Sequence, residues 1–128
     1  MWPQRVRKVH EVQIFSFLAL VSLAGLLWAQ ADNQPPTTPQ DFFAYSASIT
    51  RADMHWQPAT DNSGLVTYIV YRDGVEIART QNTTYTDISV TPHHTYTYHV
   101  VAVDAAGNES LPSRTSTVTI GGWAPPNE

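Results

Sequence analysis

The chain has 128 residues, of which 42 % are hydrophobic and 14 % charged, a globular balance that excludes a disordered chain and allows one domain. It has no cysteine, which excludes a disulfide framework and any cysteine-ligated metal. Its formal net charge is −4, and all three basic residues that precede Arg51 stand in the first eight positions.

Those first positions belong to a segment of their own. Arg5, Arg7 and Lys8 precede an uncharged apolar run of 15 residues, Ile14 to Trp28, which ends in Ala29-Gln30-Ala31. A positive start, an apolar centre and a small-x-small end are the layout of a secretory signal peptide, so residues 1–31 read as a signal cleaved after Ala31. The run is shorter than the roughly 20 residues that a spanning helix needs. The alternative is an uncleaved N-terminal anchor, which would be the chain's only membrane attachment. Both readings export the remainder, because the positive charges stay inside. Residues 32–128 then carry four arginines, ten acidic residues and no lysine, a net charge of −6. Such a surface repels phosphate backbones and anionic bilayers, so neither nucleic acid nor a membrane surface is an expected partner.

The exported part opens on a Pro-rich linker over 32–39, DNQPPTTP, and closes on a Gly/Pro-rich tail over 121–128, GGWAPPNE. Between them, residues 40–120 read as short strands broken by turns, with no sustained helical period. Ala52, Met54 and Trp56 alternate with polar neighbours. Tyr68 and Val70 alternate with Ile69 and Tyr71, and Tyr96, Tyr98, Val100 and Ala102 with Thr97, His99, Val101 and Val103. Residues two apart share one face of a strand, so each set can line a core, to which Tyr85 also belongs. Asp61-Asn62-Ser63-Gly64, Asp73-Gly74, Gln81-Asn82, Thr91-Pro92 and Gly107-Asn108 supply turn chemistry, and Arg72-Asp73-Gly74-Val75 predicts a hairpin. Seven strands result, near 40–46, 49–56, 66–72, 75–79, 84–87, 94–104 and 113–120. The expected fold is all-β, a seven-strand antiparallel sandwich of two sheets.

The residues that carry these strands also carry a resemblance. HWQPATDNSG places Trp56 where a second-strand core tryptophan belongs, YIVYRDGVEIA matches a third strand with its hairpin, and TYTDISVTPHHTYTYHVVAVD crosses between sheets into a sixth strand. DAAGNES followed by Pro112-Ser113 matches a turn into a last strand. In order and spacing, Pro36 to Ile120 resembles a fibronectin type III domain of the kind common in exported bacterial proteins. The resemblance implies that Tyr96 is a tyrosine corner, whose hydroxyl bonds the backbone a few residues upstream. It also marks a departure: the loop before Tyr96 commonly reads Pro-Gly-Thr, and here it reads Pro92-His93-His94-Thr95. Histidine at a left-handed backbone position is costlier than glycine.

Two places are candidates for binding. In this topology the loops at 57–65, 80–84 and 104–112 gather at one pole, where Asp61, Asn62, Asp104 and Asn108 offer oxygens to a hard cation such as calcium. The competing reading is that these residues cap their own turns. The second candidate is the outward face of the third and sixth strands, where Ile69, Tyr71, His99, Val101 and Val103 form an apolar patch able to meet a partner or stack on a sugar. Strand propensity and packing against an attached domain compete with that reading. Catalysis has no constellation: His55, His93, His94 and His99 fall on different faces and loops, and neither a phosphate loop nor any other cofactor motif is present. The expected function is an exported, non-catalytic interaction module that meets an extracellular polysaccharide or an envelope protein. A passive spacer without a ligand is the alternative.

Overall fold

Strict alternation makes each strand one-faced, and two one-faced sheets bury their apolar sides against each other. In the computed structural model, which describes residues 31–122, the strands are β1 (Gln40–Ser48), β2 (Arg51–Gln57), β3 (Thr67–Arg72), β4 (Val75–Thr80), β5 (Thr84–Asp87), β6 (Thr95–Val103) and β7 (Ser116–Thr119). The signal segment read over 1–31, except Ala31 itself, and the tail beyond Gly122 lie outside the described residues. One sheet has the order β1-β2-β5 and the other β4-β3-β6-β7, and all pairings are antiparallel. This is the seven-strand, two-sheet sandwich that the alternation predicts.

Between the sheets lie Phe42, Ala44, Met54, Trp56, Tyr68, Val70, Tyr98, Val100, Ala102, Val118 and Ile120, all buried, with Tyr85 and Tyr96 partly buried against them. Trp56 is the central plate of this core. Phe42 lies tilted against it with ring centroids 6.1 Å apart, and Tyr68 meets it edge-on at 5.4 Å. The Tyr68 hydroxyl accepts the Ala59 amide at 2.8 Å, so the ring is fixed at both ends.

The turns follow from their residues. Asp73 and Gly74 both take positive φ, 52° and 79°, the pair of angles that a two-residue hairpin loop requires. His93 takes φ of 64° in the loop before Tyr96, so the chain adopts the left-handed conformation there without glycine. The tyrosine corner forms around it: the Thr91 amide donates to the Tyr96 hydroxyl at 3.0 Å. The stretch 32–39 is tied down at its end. Pro36 and Pro39 are buried, and Thr37 and Thr60 exchange two hydrogen bonds at 2.9 Å.

The last strand starts at Ser116 rather than near 113, because the chain ahead of it meets β6 through isolated serine contacts and not a continuous ladder. The Ala102 amide donates to the Ser110 hydroxyl and the Val100 amide to the Ser113 hydroxyl, both at 3.0 Å. The backbone amides of the two serines return the bond to the same β6 residues at 2.8 and 2.9 Å.

An ion pair with a buried carboxylate joins the two sheets. Asp87, at the end of β5 and 1 % exposed, accepts from Arg72 Nη1 of β3 at 2.8 Å and from the Tyr98 hydroxyl of β6 at 3.0 Å. Its other oxygen accepts the Ser89 amide and hydroxyl at 2.9 and 2.8 Å. Burial pushes this carboxyl up, but the Ser89, Arg72 and Tyr98 bonds outweigh it and hold the group below its ordinary value of 3.8. Burial and the bond to Asp87 push the Tyr98 phenol well up. Arg72 also lies over the Tyr96 ring, 5.2 Å from its centroid.

Two outcomes check this account. Trp56→Ala should cost about 3–5 kcal/mol in chemical denaturation, because it empties the centre of the core. A variant as stable as the parent would overturn the placement of β2. Asp87→Asn should cost about 3 kcal/mol, since it leaves the Arg72 charge half-buried without its counter-ion. The parent should also lose stability as pH falls. The carboxyl's folded value lies below its unfolded one, so its contribution is complete above about pH 4 and drains away as pH drops through the folded value. The Asp87→Asn variant lacks that titrating group, so it should show a shallower acid limb in a series of denaturant melts from about pH 6 to about pH 2.

Candidate functional site

The loop pole is built where β2 ends and β6 ends. Asp104, which follows Val103, closes the turn 104–108. Its Oδ1 accepts the amides of Ala106 and Asn108, each at 2.9 Å, and its Oδ2 accepts the Asn108 side-chain amide at 2.8 Å. The backbone closes the same ring: the Asp104 amide donates to Asn108 O at 3.1 Å and the Gly107 amide to Asp104 O at 3.2 Å. Gly107 supplies φ of 90°. Burial acts to raise the Asp104 carboxyl, but these donors outweigh it and hold the group below its ordinary value. Both Asp104 oxygens therefore serve the turn.

Asp61 does similar work in the β2–β3 loop. Its Oδ2 accepts the Ser63 amide at 2.9 Å and the Ser63 hydroxyl. Its Oδ1 is shut off from water and has no hydrogen-bond partner. Ligand oxygens of Asp61 and Asp104 lie within 4.8 Å of each other, so the fold does bring this expected pair together. Asn62 is exposed and lines a shallow cavity of about 390 Å³ with Asp61, Thr60, Thr37, Pro35 and Gln34. A hard cation wants six to eight oxygens, and here the carboxylates are largely engaged by their own loops.

The expected patch on β3 and β6 needs correction. Ile69, Val101 and Val103 do point away from the inter-sheet core, but they are 0 %, 7 % and 8 % exposed. Ile69 sits in the middle of the sheet, paired with Arg79 on one side and Val101 on the other. Tyr71 and His99, opposite each other in the register, stack with centroids 4.7 Å apart and planes 8° apart at one end of this strip. At the other end Glu109 bridges back to Val103. The three aliphatic residues thus form a sealed apolar strip, and only Tyr71 and His99 keep partial exposure. Burial pushes the His99 imidazole below its ordinary value, which favours the neutral ring.

The outer face of the other sheet escapes the sequence reading. Phe43 and Tyr45 are 46 % and 43 % exposed, with ring centroids 6.0 Å apart and planes 25° apart. His55 of β2 lies 5.8 Å from Phe43 on the same face. The available signal is the parity of FFAY: if Phe42 and Ala44 face the core, Phe43 and Tyr45 face out. Adjacent phenylalanines hide that parity, since one of the two must be exposed whichever way the strand turns.

Among the described residues the histidines form no single cluster. His55 lies on the first sheet and His99 on the second, while His93 and His94 precede β6 and Asp104 follows its nine residues. The turn reading of Asp104 has a direct check. Asp104→Ala should speed amide exchange at Ala106 and Asn108 roughly five- to tenfold, the loss of about one hydrogen bond each, with little change elsewhere.

No family model matches the chain. Over 88 residues, 69 % of this chain, it is 39 % identical to Chitinase Chi52 of Paenibacillus xylanexedens and 38 % identical to Exoglucanase B of Cellulomonas fimi. The chain spans 17 % and 8 % of the lengths of those two proteins. Among solved structures, a Fn3-like protein from Clostridium thermocellum superposes with a TM-score of 0.57 at 29 % identity, over 74 % of this chain and 99 % of that one. With the two-sheet topology, the buried Trp56 and the tyrosine corner at Tyr96, this chain belongs to the fibronectin type III domains.

Proposed function

We propose that this is an exported, non-catalytic interaction module that works on or beside extracellular polysaccharide. One observation carries the reading. A stretch of 88 residues is shared with a relative named as a chitinase and with one named as an exoglucanase, and in each it is a small fraction of the protein. A segment shared by proteins named for different polymers does not set which bond is cut. The module's own chemistry agrees, since its histidines and buried acids are spread over both sheets and both poles. The acidic surface of residues 32–128, net −6, turns away polyanions and leaves neutral polymers as partners. A stable contact with an envelope protein would bury about 800 Å² on each side, and the strip of Ile69, Val101 and Val103, nearly closed to solvent, adds little to such a surface.

Protein recovered from cells that express the whole chain should co-sediment with insoluble chitin or cellulose and release no reducing sugar from either. Sugar release would overturn the non-catalytic reading. Failure to adsorb to both polymers would leave the passive spacer as the function. Adsorption that vanishes on chelation and returns with calcium would assign the contact to the Asp61/Asp104 pole.

A further inference from the structure

On the three-stranded sheet, parity and register build a surface that no turn or core requirement explains. Phe42 and Ala44 of β1 point into the sandwich, so Phe43 and Tyr45 point out. Register then sets Phe43 opposite His55 and Tyr45 opposite Asp53, and the next strand sets Thr84 opposite His55 and Thr86 opposite Asp53. The face is a lattice of two cross-strand rows: Phe43, His55 and Thr84 form one, and Tyr45, Asp53 and Thr86 the other. Two of the polar members, Asp53 and Thr86, are held in place. Asp53 Oδ1 accepts from the Thr86 hydroxyl at 3.0 Å, and its Oδ2 pairs with Arg51 at 3.1 Å. A depression of about 220 Å³ opens between Tyr45, Asp53, His55, Thr84 and Thr86.

We infer that this face, with Phe43 and Tyr45 as its platform and His55, Asp53, Thr84 and Thr86 as its hydroxyl-binding flank, binds a neutral glycan chain. The inference rests on the polysaccharide reading above and deepens it by naming the site. Area decides against a protein partner. Two half-open aromatic side chains offer on the order of 200 Å², whereas a stable protein interface buries about 800 Å² on each side. Strand addition by a peptide is blocked where the rings stand, because the outer edge of β1 is occupied. Arg114 Nε donates to Phe42 O at 2.8 Å, and the Ser116 hydroxyl accepts the Ala44 amide at 3.1 Å and donates to Ala44 O at 3.2 Å. A pyranose chain fits both halves of the face. Its C–H side packs on aromatic rings, and its equatorial hydroxyls meet groups that donate and accept hydrogen bonds. The near-parallel rings along β1 suit a linear chain laid in the strand direction.

The test uses the whole chain as expressed, with microcrystalline chitin and microcrystalline cellulose as separate probes of the two neutral polymers. Binding isotherms are measured for the parent, the double variant Phe43→Ala/Tyr45→Ala, Thr84→Arg, and Tyr71→Ala as a control on the opposite sheet. Unfolding curves on the same samples verify that the exposed substitutions leave the fold intact. The expected result is adsorption of the parent to at least one polymer, a loss of about tenfold or more in the double variant, a similar weakening in Thr84→Arg, and no change in Tyr71→Ala. A folded double variant that binds as tightly as the parent would overturn this site while leaving the polysaccharide reading in place. A parent that adsorbs to neither polymer would overturn both.

Discussion

The sandwich hangs on the carboxylate of Asp87. It belongs to the three-stranded sheet, yet its partners Arg72 and Tyr98 belong to the other sheet. Hydrophobic burial alone would let the two sheets slide, because apolar contact is non-directional. A charge in a dry site is different: displaced from its donors, it would carry a desolvation penalty that no bond offsets. The four hydrogen bonds from Ser89, Arg72 and Tyr98 therefore fix where β5 ends and how it faces β3 and β6. Arg72 extends the constraint to the tyrosine corner by lying over Tyr96, whose hydroxyl holds the loop at Thr91. A chain without cysteine must find rigidity in its core, and here one polar knot gives that core a single register.

That register also sets the two outer faces. On β1, β2 and β5 it aligns Phe43 with His55 and Thr84, and Tyr45 with Asp53 and Thr86. A slip of one residue would turn Phe43 and Tyr45 inward and set Phe42 in water. On β3 and β6 the same logic aligns Ile69 with Val101 and Tyr71 with His99. The two outer faces then differ in kind. One is a sealed aliphatic strip ended by a stacked Tyr–His pair, and the other is an open aromatic platform beside anchored polar groups.

Period-2 alternation is enough to read the side of the strand for Trp56, Tyr68, Val70, Tyr98, Val100 and Ala102, because a residue's side depends only on its own parity. The turn at Asp73-Gly74 is legible for an equally local reason, the need for positive φ at both positions. Exposure is not local. Ile69, Val101 and Val103 have the outward parity that the sequence shows, but their burial depends on neighbours that pattern cannot place. The start of β7 misleads for a related reason: Ser113 bonds β6 through both its amide and its hydroxyl, but the continuous ladder begins only at Ser116, and pattern cannot place that join. Asp61 and Asp104 converge as the topology implies, while the capture of both Asp104 oxygens by its own turn depends on hydrogen-bond geometry.

A platform of two half-open rings cannot by itself give tight binding. Association must first offset several kilocalories per mole of lost rigid-body freedom, and about 200 Å² of aromatic surface at roughly 25 cal/mol per Å² returns about 5 kcal/mol. The balance is weak contact, which is of little use against a small soluble ligand. A polymer changes the arithmetic, since identical sites recur along one chain and rebinding to a neighbouring site competes with escape. An acidic module with a small aromatic face is thus poorly suited to capturing single molecules and well suited to lingering on a neutral repetitive surface.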